Sequence, residues 1–346
     1  MMNVEDFIRG LPKTELHMHL EGSIEPELML RLAERNGIRL RWDNPDDMRA
    51  AYQFKDLQSF LDLLFEGCRV LVHERDFYDL TRDYLHRATE EGVVRAELFI
   101  GPQSFTERGV SIATLMNGVL AAFDDASRDT GISAGLLISA HRHRSEAEAL
   151  DVLRSIQPWS GRIAGIGLGG AEIGNPPSNF VNYFRAARDA GFLTTIHAGE
   201  EGPADYVREA VELLNIQRID HGIACAGDPN LVAALARKGI PLTVCPLSNS
   251  RLNVVPSLEV HPLKQLLDAG VMVTVNSDDP AYFGGYVTEN LVACHHALGL
   301  SLEDLVTLAH NGFSAAFISA DEAAAGHARV DAYVRRSLQA VPPVPG

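Results

Sequence analysis

No stretch of eighteen apolar residues occurs in the 346-residue chain, so no membrane-spanning helix is expected. Positive charge is scarce: 30 Lys and Arg face 46 Asp and Glu, giving a formal charge of −16. Without a cationic excess the chain cannot replace the counterions of a phosphate backbone. That argues against a nucleic-acid partner and leaves small neutral ligands open. Cysteine is limited to Cys68, Cys225, Cys245 and Cys294, with no C-x-x-C pair. This excludes a disulfide scaffold, suggests no thiolate metal site, and fits the reduced thiols of a cytoplasmic protein. Met1 to Arg9 carry Glu5 and Asp6 and no apolar run, so no secretory leader is expected. Repeats, low-complexity blocks and Gly/Ser linkers are also absent. Residues 1–336 are therefore expected to form one domain, with a flexible proline-rich tail over 337–346.

What is present is an alternation of short apolar runs with longer helical patterns. Strands are predicted at Glu15–Leu20, Val94–Ile100, Ser133–Ser139, Ile163–Leu168, Leu193–His197, Arg218–His221, Pro241–Cys245 and Val271–Asn276. Alternation of this kind implies parallel strands joined by helical crossovers. A doubly wound sheet usually has fewer strands and often a Gly-rich phosphate loop, and no G-x-G-x-x-G follows the first strand. Eight units fit an α/β fold of the (β/α)8 TIM-barrel type, distorted by extra helices between the first and second strands. One of these helices is the amphipathic Leu57-x-x-Phe60-Leu61-x-x-Leu64-Phe65.

The polar residues at the strand ends carry the chemistry. His17 and His19 are two apart, so in a strand both imidazoles share one face. Two packed histidines would give the same pattern, but this pair interrupts an apolar first strand. His197 ends the fifth strand, and Gly199 permits a turn that folds Glu200 back toward it. His221 ends the sixth strand. Asp278 and Asp279 follow the eighth, where adjacent carboxylates repel and prefer solvent or a cation; a plain Asp-Asp-Pro turn is the alternative. Three histidines and one aspartate from three strand ends make an N/O donor set suited to a single catalytic Zn²⁺ per chain. A two-metal centre is disfavoured, because the lysines are Lys13, Lys55, Lys238 and Lys264, and none lies in the fourth strand to bridge metals. His141 and His143 alternate with Arg142 and Arg144, whose charge would repel a cation, so a solvated loop is expected there.

Four strings, Thr14-Glu-Leu-His-Met-His-Leu-Glu-Gly-Ser23, His197-Ala-Gly-Glu200, Asp220-His-Gly222 and Ser277-Asp-Asp-Pro280, resemble the adenosine/adenine deaminase family of the amidohydrolase superfamily. They occur in family order and span almost the whole chain. The resemblance implies one zinc held by His17, His19, His197 and Asp278. It implies that Glu200 protonates the purine N1 and that His221 orients and helps deprotonate the attacking water. Asp279 would exchange a hydrogen bond with N7, and the Gly170 N–H would meet N3.

Glu172-Ile-Gly-Asn-Pro-Pro-Ser178, Glu200-Glu-Gly-Pro203, Cys245-Pro-Leu-Ser-Asn249 and Asp278 to Tyr286 look like the free-base branch of that family. Glu21 stands where nucleoside deaminases usually carry a ribose-binding aspartate, and the longer acid would crowd a sugar. Gly167-Leu-Gly-Gly-Ala-Glu172 departs from the branch pattern and suggests a pocket widened near the ring edge. The expected activity is hydrolytic deamination of adenine to hypoxanthine and ammonia in purine salvage. Deamination of adenosine or of N6-substituted adenines is the rival, and a non-catalytic purine-binding protein the alternative from another class. Phe54–Phe65 and Tyr282–Tyr286 form either a lid or a packing layer. A homo-oligomer is compatible with the sequence, which specifies none.

Overall fold

A computed structural model describes residues 3–339. Eight strands pair in parallel and in chain order: β1 Lys13–His19, β2 Val93–Ile100, β3 Ser133–His141, β4 Ile163–Gly169, β5 Leu193–Ala198, β6 Arg218–His221, β7 Leu242–Val244 and β8 Val273–Val275. This is the (β/α)8 architecture the alternation predicts. The last two strands are shorter than their apolar runs, although Leu242 N–H still bonds Met272 O and Asn276 N–H still bonds Val244 O. In the opposite sense, β3 runs two residues beyond its expected end. The tail expected from 337 lies outside the described residues, apart from its first three, which complete the helix Ala320–Gln339.

The barrel seam is closed without a full β8–β1 ladder. Asp278 N–H donates to His17 O at 2.9 Å, and His19 N–H donates to Asp278 O at 2.8 Å. Leu16 N–H is satisfied by the Asn276 side-chain oxygen at 2.9 Å. Closing the seam therefore places the Asp278 side chain beside both histidines of β1. Asp278 reaches this position at φ +64°, and His221 sits at φ +62°. Such left-handed conformations are costly for residues with a Cβ and persist only where surrounding contacts enforce them.

Below the site the barrel interior is charged rather than apolar. Arg218 donates to Glu97 at 2.6 Å with both side chains fully buried, and to Leu16 O at 3.1 Å. Above it, the helix Leu57–Cys68 starts at Asp56, whose carboxylate accepts from Ser59 N–H. Leu57, Phe60, Leu61 and Leu64 form its buried stripe across the mouth of the barrel.

Candidate active site

The Nε2 atoms of His17 and His197 lie 3.0 Å apart, and those of His19 and His197 lie 3.1 Å apart. Asp278 Oδ1 stands 3.5 Å from His17 Nε2 and 3.4 Å from His19 Nε2. Four donor atoms at the corners of a tetrahedron around zinc, with bonds of 2.0–2.1 Å, would be separated by about 3.3 Å. The protonation pattern also favours a cation. His17 Nδ1 lies 3.0 Å from Thr243 O, a carbonyl that can only accept, so the neutral ring turns an Nε2 lone pair inward. His197 Nδ1 faces Asp220 Oδ2 at 3.4 Å, which orients that ring the same way. Lone pairs converging at such distances repel unless a cation lies between them.

Burial lowers the pKa of His17, and that of His19 to about 3, so both rings are neutral, as ligation requires. Burial works to raise Asp278, and any positive charge on the ring of histidines around it, His17, His221 and His19, or on a cation in their place, pulls the carboxyl below its usual range. Asp220 Oδ1 accepts from Thr195 Oγ1 at 2.7 Å and Thr243 Oγ1 at 2.9 Å, which fixes the carboxylate behind His197. Asp220 was part of a sequence string, but it gains this orienting contact only through the pairing of His197 with Asp220 across β5 and β6.

Next to this cluster lies a cavity of about 60 Å³, lined among others by His19, His197, Glu200, His221, Asp278 and Asp279, with Gly170 in its wall. His17 lies just beneath it. Thus all eight predicted site residues meet at the C-terminal end of the barrel. His221 Nε2 is 3.5 Å from Glu200 Oε2 and 3.8 Å from Asp278 Oδ2. Glu200 is buried, and its Oε1 has no partner among the described residues. Desolvation, then the charges of Asp278, Glu172 and Glu201, push its pKa well above the ordinary carboxyl range, which favours the protonated acid. Asp279 is pushed up by burial and by Asp278, and its Oδ1 is also unpartnered. Gly22 makes room for it, since a Cβ at that position would overlap the Asp279 carboxyl.

The turn that carries Glu200 is held by a residue given no role by sequence. Glu172 accepts from Gly199 N–H at 2.6 Å, Glu200 N–H at 3.0 Å and Gly202 N–H at 2.8 Å. Gly199 turns the chain at φ +74°, with no space for a side chain against Val207. Arg142 stands 3.9 Å from Glu172 and donates to His197 O and Asn175 O. The solvated loop expected at 141–144 is thus corrected. The longer β3, with Arg142 N–H bonded to Gly169 O, carries Arg142 into the interior and His141 into the cavity wall. Burial lowers His141 to about 3; only His143 of this segment is exposed.

Glu21 Oε1 accepts from Gly101 N–H at 2.7 Å, while Oε2 lies in the cavity wall without a partner among the described residues; burial raises the carboxyl to about 7. Of the Gly167–Glu172 segment, Gly169 and Gly170 line the cavity, while the space beside Gly167 is filled by the Phe99 ring. Phe60 and its neighbours roof the cavity, whereas Tyr282 and Phe283 pack beneath Phe60, with ring centroids 5.6 and 4.7 Å away. The aromatics of Tyr282–Tyr286 are therefore a packing layer.

A (β/α)8 barrel with a buried His/Asp cluster and acidic side chains at its C-terminal mouth defines the class: a hydrolase of C–N bonds with the fold of the amidohydrolases. The sequence profile described as adenosine deaminase matches residues 12–333, and the chain belongs to that family. It is 62% identical to an adenine deaminase of Rhodopseudomonas palustris, covering 97% of this chain and 98% of the relative. An adenine deaminase structure from Arthrobacter aurescens superposes with a TM-score of 0.92 at 46% identity, over 94% of this chain and 99% of that one. A Burkholderia ambifaria amidohydrolase structure with bound Zn matches with a TM-score of 0.89 at 29% identity, over 98% and 96% of the two chains. No helix among the described residues is long and apolar enough to cross a membrane.

Proposed function

We propose that the chain is a zinc-dependent adenine deaminase, converting adenine and water to hypoxanthine and ammonia in cytoplasmic purine salvage. The observation that carries this reading is a buried Glu200, its Oε1 without a partner among the described residues, in a cavity beside the converging donors of His17, His19, His197 and Asp278. One zinc ion held by that cluster would supply the acidity that makes water nucleophilic at neutral pH. Glu200 donates its proton to N1 as C6 becomes tetrahedral, which lets the ring accept the electron pair. The Glu200 carboxylate so formed takes up the protons that the attacking water loses, passing one to the amino group, which leaves as ammonia, and keeping the other to regenerate the acid.

His221 lies between Glu200 and Asp278, where the attacking oxygen must pass. Asp279, its carboxyl raised by burial and by Asp278, is placed to donate to N7, and the Gly170 N–H to meet N3. Glu21 supports the free base as substrate. Its carboxyl lines the cavity at the position where the family resemblance expects a shorter ribose-binding acid, and its raised pKa leaves it neutral over part of the physiological range. Assaying adenine, adenosine and N6-methyladenine side by side tests the assignment. Adenine should have the highest kcat/KM, and preferential turnover of adenosine would overturn it.

A further inference from the structure

His261 belongs to none of the motifs, yet it is buried and connected to the site through one side chain. Leu263 N–H donates to His261 Nδ1 at 3.1 Å. A backbone amide can only donate, so in the neutral ring the proton of His261 lies on Nε2. That N–H is 3.2 Å from Asn249 Oδ1, which accepts it. The amide is thereby oriented, and its Nδ2 group donates toward His221 Nδ1 at 3.4 Å. His221 Nδ1 must then be the acceptor, so the neutral ring carries its proton on Nε2. That atom faces Glu200 Oε2 and Asp278 Oδ2 at the site where water attacks. Burial holds His261 at about 4, so the ring stays neutral and the direction of the chain does not change around neutrality. A His221 with its proton on Nδ1 would instead point one donor at another across a buried gap, an arrangement that costs a lost hydrogen bond.

We propose that Asn249 and His261 are positioning residues that lock His221 as an Nε2–H donor, a form that orients the attacking oxygen and does not take its proton as the family resemblance implies. The proposal rests on the deaminase reading for its kinetic consequences, but the tautomer itself does not. In the zinc-loaded protein, nitrogen-15 NMR of labelled histidine, with the His221 signal identified through His221→Gln, should give the Nε2–H form. Asn249→Leu and His261→Phe should lower kcat for adenine about 10–100-fold, the usual cost of losing an orienting partner, with KM and zinc content little changed. His261→Gln should recover most of that loss, because its amide can accept from Leu263 N–H and donate to Asn249.

An Nδ1–H tautomer of His221 in the parent protein overturns the proposal. So does a kcat unchanged in both variants, or a joint loss of kcat, KM and zinc that His261→Gln does not rescue. Should the variants fail to fold, the NMR of the parent decides alone. A parent protein that does not deaminate adenine would refute the function proposed above and leave the tautomer measurement standing.

Discussion

A carboxyl group can deliver a proton at neutral pH only where its charged form is disfavoured. Glu200 meets that condition twice, through loss of solvent and through the negative charge of Asp278 beside it. Replacing it with glutamine keeps the size and removes the transferable proton. Glu200→Gln should retain zinc by metal analysis and lose about 10²–10⁴-fold in kcat, the usual worth of proton delivery. Near-parent turnover would exclude Glu200 as the acid. The sign of the pH dependence follows from the same shift. The active form is the protonated acid, so kcat/KM should hold up to the raised pKa and then fall tenfold per unit as Glu200 ionises. A profile that rises through that limb would contradict the assignment.

Strands and turns put these groups in place, and sequence makes only some of them legible. Residues at strand ends, such as His17, His19, His197, His221 and Asp278, stand out because a polar group closing an apolar run is visible locally. Residues that act through a remote partner do not stand out. Glu172 looks like one acid in a Gly-rich stretch until the fold brings three amides of the 199–202 turn to its carboxylate. Arg142 looks like a solvated charge until β3 extends and buries it. Asn249 and His261 matter only through the path they form to His221.

The turn makes a separate prediction. Glutamine at position 172 would set an N–H₂ group against backbone donors, so Glu172→Gln should cost about 10–100-fold in kcat with zinc retained. Parent-like kcat would show that the turn holds Glu200 without it.

For the whole molecule, the seam between β8 and β1 and the charged pair below it hold the barrel in register. Glu97 accepts from Arg218, Arg95 and Phe317 N–H in the interior. Glu97→Ala leaves the fully buried Arg218 without its carboxylate, and a denaturant melt should report a loss of about 3–5 kcal/mol. A loss below 1 kcal/mol would mean that water replaces the carboxylate easily. The seam matters more for function, because the bonds that close it bring Asp278 to His17 and His19. The most direct test of the account is to strip the protein with a chelator, titrate zinc back, and follow ammonia release from adenine. The account predicts turnover that rises linearly and saturates at one zinc per chain, with none restored in His17→Ala. Turnover without metal, or saturation only at two zinc ions, would contradict it.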